Sequence, residues 1–73
     1  MKLIKNIDPD GSEITINPKY VIDVKVVHSK YNNDWCIDIN IFGWTKPYTI
    51  LCATKEECDV KHYEILSCME SVQ

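Results

Sequence analysis

The chain has 73 residues, of which 45% are hydrophobic and 26% are charged, and its formal net charge is −3. This composition is that of one small folded domain, which excludes a disordered tail and leaves little room for an internal ligand cavity. The acidic balance argues against non-specific binding to nucleic acid or anionic membranes. All eight basic residues are lysine, so arginine, the usual reader of phosphate and guanine, is absent.

The first part of the chain predicts a β-hairpin. Residues 2–7 are rich in apolar side chains and form the first predicted strand. Residues 8–11 read Asp-Pro-Asp-Gly, a turn in which proline presets φ and Gly11 accepts a positive φ. Residues 13–17 alternate between apolar and polar side chains and form the second strand.

A longer third strand is predicted over residues 20–28. The Asn17-Pro18 step before it interrupts the ladder, because proline has no N–H to donate. Alternation places Val21 and Val27 on the outer face of this strand.

The fourth strand, residues 34–42, carries the clearest pattern of the chain. Its inward side chains are Trp35, Ile37, Ile39 and Ile41. Phe42 is expected on the other side, with polar residues before it. A period of two indicates one buried and one wet face, which is typical of an antiparallel sheet covered on one side.

A turn over residues 43–47 carries Trp44, and the fifth strand, residues 48–53, directs Leu51 outward.

The period of the hydrophobic pattern changes after this strand. Residues 54–57 read Thr-Lys-Glu-Glu and fit a capping box, and an apolar stripe at four-three spacing indicates a helix over about 55–70. The stripe consists of Cys58, His62, Ile65, Met69 and Val72, with Leu66 beside them.

These elements predict an α+β fold in a single domain, residues 1–73. The expected architecture is a meander-like, five-stranded antiparallel sheet with the C-terminal helix packed on its isoleucine face. One helix covers only one face of a sheet, so the outer face is expected to remain free.

Large side chains on this free face and in the turns predict a partner-binding surface. Trp44 lies in a hairpin turn, where side chains usually face solvent, and tryptophan is enriched in binding hot spots. The alternative is that Trp44 folds back onto the end of the sheet as a lid. The predicted partner-binding residues are Trp44, Phe42, Tyr31, Val21, Val27 and Leu51.

Cys58 and His62 are the candidates for metal binding or catalysis, because a spacing of four places both on one face of a helix. The pair supplies two of the ligands of a metal site, or a nucleophilic thiol with its general base. A complete metal site needs Cys52 or Cys36 to converge on it, and the chain contains no Cys-x-x-Cys spacing. We therefore predict no metal, no cofactor and no catalytic residue, and thiols that are free and mostly buried.

The expected location is the cytoplasm, without membrane association. No apolar run approaches the roughly 18 residues of a membrane-spanning helix. Polar residues near the N-terminus interrupt any signal-peptide core. A bacterial or phage origin is consistent with this small, acidic composition.

Residues 11–24 read Gly-Ser-Glu-Ile-Thr-Ile-Asn-Pro-Lys-Tyr-Val-Ile-Asp-Val. This segment resembles small bacterial β-rich proteins of the flagellar FlbD type, which have a strand, a Gly turn, an Ile/Leu-Asn-Pro step and a second hydrophobic strand. Those proteins end in a helix with an acidic start, similar to residues 54–69. The resemblance implies a compact, non-enzymatic accessory protein and assigns no functional residue.

The leading hypothesis is a small, non-enzymatic protein-interaction module. It binds a partner protein, or itself as a homodimer, through the outer sheet face and the Trp44 turn. One alternative is a metal- or ligand-responsive domain that uses Cys58, His62 and a strand cysteine. Another is a weak nucleic-acid-binding module that uses Trp44, Phe42 and lysines on the sheet.

Overall fold

The computed structural model describes residues 2–70. The class α+β, the antiparallel pairing and the C-terminal helix are confirmed. Val72, predicted as the last member of the helix stripe, lies outside the described residues. The elements in chain order are β1 (Ile4–Ile7), β2 (Glu13–Ile16), a 3₁₀ turn (Pro18–Tyr20), β3 (Val21–His28), β4 (Trp35–Ile41), β5 (Tyr48–Cys52) and α1 (Lys55–Glu70).

The strands form two sheets, so the prediction of one five-stranded sheet is wrong. β1 and β2 form a hairpin, and the other three strands form a sheet in the order β3–β4–β5. The chain leaves the first sheet at Asn17, whose side chain accepts a hydrogen bond from the Lys19 N–H at 2.9 Å. Pro18 follows as the first residue of the 3₁₀ turn. Because the Asn17 side chain caps this turn, the backbone does not continue a ladder from β2 into β3.

The hairpin of β1 and β2 turns tightly. The Asp8 N–H donates to the Ser12 carbonyl at 2.7 Å, and the Gly11 N–H donates to the Asp8 carbonyl at 2.9 Å. Gly11 has a φ of +90°, which a glycine adopts without the steric strain that a Cβ would add. This is the three-residue hairpin geometry that the Asp-Pro-Asp-Gly sequence favours.

The hairpin and α1 pack against the same face of the three-stranded sheet. Ile37 and Ile39 of β4 are 0% exposed and lie at the centre. The predicted packing of the helix stripe on the isoleucine face is confirmed, since Cys58 and Ile65 of α1 are buried in the same cluster. The buried core among the described residues is Ile4, Ile16, Ile37, Ile39, Ile41, Ile50, Cys52, Cys58 and Ile65.

The Tyr48 phenol joins the hairpin to the larger sheet. The Tyr48 hydroxyl donates to the Asp8 carboxylate and accepts a hydrogen bond from Asn6 Nδ2 at 2.9 Å. Burial, followed by the hydrogen bond to Asp8, raises the pKa of Tyr48. The phenol therefore keeps its proton and remains the donor that links β5 to the end of β1.

We expect Tyr48→Phe to lower the free energy of unfolding by about 1–3 kcal/mol, because Asp8 and Asn6 lose their shared partner in a half-buried site. Urea denaturation followed by circular dichroism measures this change. The matched control is Tyr63→Phe, which removes the same hydroxyl from a side chain that is 73% exposed. We expect the control to stay within about 0.5 kcal/mol of the wild type. An equal loss in both variants would show that the Tyr48 hydroxyl does not link the two sheets.

Candidate partner-binding surface

A β-bulge at the start of β3 decides which of its side chains face outward. Val21 lies opposite Ile41 and Asp23 lies opposite Asn40, so Ile22 is an extra residue in the ladder. Val21 consequently packs against the core, and Ile22 is 63% exposed. The predicted outward position of Val21 is wrong, because one inserted residue inverts the alternation on its N-terminal side.

The centre of the outer sheet face is polar and internally paired. Asn40 Nδ2 donates to Asp23 Oδ1 at 2.5 Å, and Thr49 Oγ1 donates to Asp38 Oδ1 at 2.8 Å. Lys25 lies opposite Asp38. These cross-strand pairs contribute to the stability of the sheet.

An apolar row crosses the same face at the C-terminal end of β3. Val27 lies opposite Cys36, and Cys36 lies opposite Leu51. Burial, with a smaller contribution from the Asp38 charge, raises the pKa of the Cys36 thiol, so it acts as a neutral, small apolar group. Val27 and Leu51 lie on either side of Cys36 in the outward positions predicted for them, and Leu51 is 67% exposed.

The turn between β4 and β5 projects Trp44 from the end of the sheet. The Trp44 N–H donates to the Ile41 carbonyl at 3.0 Å, and Gly43 has a φ of +87°. The indole meets the Tyr48 ring edge-on, with the ring centroids 6.4 Å apart. Trp44 remains 49% exposed, so it rests on Tyr48 with one side and presents the other to solvent.

Two more exposed aromatic side chains lie at this end of the molecule. The Phe42 N–H donates to the Tyr20 carbonyl at 2.8 Å, and both residues border the same depression of about 180 Å³ as Trp44. The exposed fractions are 50% for Tyr20, 73% for Phe42 and 49% for Trp44. We call these three residues the aromatic end.

Tyr20 was missed as a surface residue because alternation placed it inside the third strand. In the structure it closes the 3₁₀ turn that precedes β3. The Asn17-Pro18 sequence does indicate this helical turn, since Asn is a favoured cap and Pro a favoured first residue of such a turn.

Tyr31 lies outside the aromatic end, and its predicted part in partner binding stays a prediction. Its side chain is fully exposed in the connection between β3 and β4. That connection and the Trp44 turn lie at opposite ends of β4, which has seven residues. A strand rises by about 3.3 Å per residue, which separates the two ends by roughly 20 Å.

Cys58 and His62 lie on the side of α1 that packs on the sheet. The Cys58 thiol is 0% exposed and donates to the Cys36 carbonyl at 3.6 Å. Burial, followed by a hydrogen bond with Cys52, raises the pKa of Cys58 to about 12. A shielded, protonated thiol is unlike the exposed thiolates that act as nucleophiles or metal ligands. Within residues 2–70, no three His, Cys, Asp or Glu side chains are placed to hold a metal ion.

Comparison of the chain with protein-family models, with curated proteins and with solved structures gives no match. Over the part of the chain that the structure describes, no helix is long and apolar enough to cross a membrane.

Proposed function

We propose that this protein is a small, non-enzymatic interaction module that binds a partner protein through the aromatic end. The observation that carries this proposal is the clustering of Tyr20, Phe42 and Trp44, each of which is at least 49% exposed. Contiguous exposed apolar side chains mark interaction sites in soluble proteins. Tryptophan and tyrosine are also enriched among the residues that dominate binding energies.

Contacts within the protein hold the aromatic end in place. Backbone hydrogen bonds hold Phe42 to Tyr20 and Trp44 to Ile41, and Tyr48 supports the indole. A pre-organised surface loses less conformational entropy on binding, so more of its contact energy appears as affinity. The accessory role implied by the resemblance to FlbD-type proteins agrees with this proposal.

We expect Trp44→Ala to weaken partner binding at least about tenfold, which corresponds to roughly 1.4 kcal/mol or more. The protein serves as bait in an extract of the cells that express it. Captured proteins are quantified by mass spectrometry, and the dissociation constant of the captured partner is then measured by calorimetry. The matched control is Tyr31→Ala, which removes a fully exposed aromatic ring from the opposite end of β4.

Two results would contradict the proposal. One is an equal loss of binding in Trp44→Ala and Tyr31→Ala. The other is unfolding of Trp44→Ala at 25 °C, detected by circular dichroism, which would make Trp44 a structural residue. Sedimentation of the same proteins measures self-association, and a dimer that only Trp44→Ala dissociates would identify the partner as a second copy.

A further inference from the structure

The two terminal strands of the three-stranded sheet differ in how their free edges are protected. β3 has a bulge and the charged residues Asp23 and Lys25, features that discourage pairing with another chain. β5 reads Tyr-Thr-Ile-Leu-Cys, without a charge or a proline, and its register with β4 is regular. Among the described residues, the backbone of β5 is hydrogen-bonded to no strand other than β4. The edge of β5 is therefore open for strand addition.

A groove of about 460 Å³ follows this open edge, between β5, α1 and the end of β1. Each of these three elements contributes an apolar side chain that remains largely in solvent. Leu51 is 67% exposed, Ile7 70% and Val60 61%. An extended segment beside β5 would remove all three from water, and that burial favours binding.

The groove is also acidic. Its lining carries the carboxylates of Asp8, Glu57 and Glu64 and one ammonium, that of Lys61. Lys61 Nζ donates to the Lys5 carbonyl at 3.0 Å and lies 3.7 Å from the Glu64 carboxylate, so these two charges offset each other and Asp8 and Glu57 supply the excess negative charge. Within residues 2–70 the Glu57 carboxylate has no hydrogen-bond or ion-pair partner. The groove therefore complements a positively charged ligand.

We infer that the edge of β5 binds an extended, basic segment of another protein, which adds to the three-stranded sheet as a further strand. The backbone of the segment pairs with β5. Its side chains facing α1 are Lys or Arg, whose aliphatic stems pack on Ile7 and Val60 and whose charges meet Glu57 and Glu64. The alternate side chains are apolar and cover Leu51 on the outer face.

A second copy of this chain fits the same edge poorly. Two β5 strands paired about a twofold axis would bring the Glu57 and Glu64 carboxylates of both copies to one seam. Like charges facing each other across an interface disfavour association. The occupant is therefore a segment of opposite charge.

The probe is a short, fluorescein-labelled peptide of alternating Val and Lys with blocked termini, and its counterpart has Glu in place of Lys. At physiological ionic strength we expect fluorescence anisotropy to show at least about tenfold tighter binding of the Lys peptide. The double variant Glu57→Lys/Glu64→Lys is expected to lose at least about tenfold in affinity for it. The matched control, Glu56→Lys/Glu70→Lys, makes the same charge change on the same helix outside the groove, and we expect its affinity to stay within about twofold.

Hydrogen exchange tests whether the peptide adds as a strand. Amides of β5 that point to the open edge are expected to exchange freely in the isolated protein and to become protected when the peptide binds, whereas the amides of β3 stay unchanged. Equal affinity for the two peptides, an equal effect of the two double variants, or protection at β3 instead of β5 would overturn the inference. A dimer that Leu51→Lys dissociates would also overturn it, because the occupant would then be a second copy.

This site is separate from the aromatic end, and its test is independent of the proposed function. We expect Trp44→Ala to bind the Lys peptide as the wild type does. Loss of peptide binding in Glu57→Lys/Glu64→Lys with retained partner capture identifies two different surfaces. Failure of the peptide to bind, with partner capture still dependent on Trp44, would refute only the strand addition.

Discussion

Replacing Ile39 with alanine is expected to unfold most of the protein at 25 °C. Ile39 is 0% exposed and lies in the central strand, opposite Val24 on one side and Tyr48 on the other. Truncation of a buried isoleucine to alanine costs about 2–5 kcal/mol. The single core of a domain this small supplies only about 3–5 kcal/mol of stability. One substitution therefore removes an amount comparable with the whole free energy of unfolding.

The matched control is Ile22→Ala, the same change in a neighbouring strand of the same sheet. Ile22 is the extra residue of the bulge and is 63% exposed, so its truncation is expected to shift the free energy of unfolding by less than about 1 kcal/mol. Far-UV circular dichroism and urea titration of both variants give the comparison. Equal denaturation midpoints would mean that Ile39 is not at the centre of the core.

Alkaline pH is expected to destabilise the protein strongly. Cys58, Cys36 and Tyr48 each have a pKa raised first of all by burial, and that of Cys58 is raised to about 12 from an ordinary value of 9.0. Between those two values the unfolded chain releases the Cys58 proton while the folded protein keeps it. The free energy of unfolding is therefore unaffected by Cys58 below pH 9 and falls as the pH rises towards 12. Each such group contributes a slope of at most about 1.4 kcal/mol per pH unit.

Urea denaturation at several pH values between 8 and 11, with a thiol reductant present, measures this slope. The Cys58→Ala variant is expected to be less stable than the wild type at pH 8, because it leaves a small cavity. The free energy of unfolding of this variant should nevertheless decline less steeply above pH 9, since one of the groups with a raised pKa has been removed. A variant whose slope equals that of the wild type would show that Cys58 ionises equally easily in the folded and unfolded chains.

The elements with strong local periodicity could be predicted from the sequence. The isoleucines of β4 repeat with a period of two, and the helix expected over about 55–70 is observed as Lys55–Glu70. The Thr54 hydroxyl accepts a hydrogen bond from the Glu57 N–H at 3.1 Å, which is one half of the predicted capping box. The reciprocal bond to the Glu57 carboxylate is not observed among the described residues. These patterns involve only residues that are close in the sequence, so the elements can be predicted without knowledge of tertiary contacts.

The division into two sheets and the bulge in β3 could not be predicted in the same way. Alternation says which face a side chain takes, and it does not say which strand lies beside another. At the bulge, Val21 and Ile22 are both apolar, so inserting one residue leaves no break in the hydrophobic pattern. The structure alone shows that Val21 takes the inner position and Ile22 the outer one.

The candidate site was predictable only in part, for a related reason. Phe42 and Leu51 have the exposure that alternation along their strands predicts. Whether Trp44 is exposed or folds back as a lid was open in the sequence, and in the structure the indole contacts Tyr48 and remains 49% exposed. The groove at β5 combines Ile7, Leu51 and Val60 from three elements far apart in the chain. The periodicity of a single element does not predict such a combination, because the groove forms only when the elements pack together.

Residues of β1, and Leu3 just before it, contact the C-terminal helix from the other end of the described chain. Lys61 Nζ binds the Lys5 carbonyl 56 positions earlier, and the Cys68 thiol binds the Leu3 carbonyl 65 positions earlier. By contrast, β3, β4 and β5 pair with their neighbours in the chain. Closing long loops costs entropy before their contacts form, so we expect β1 to dock onto α1 after the three-stranded sheet has formed. During synthesis β1 leaves the ribosome before α1, so we expect the side chain of Ile4 to stay exposed until the C-terminal helix has been made.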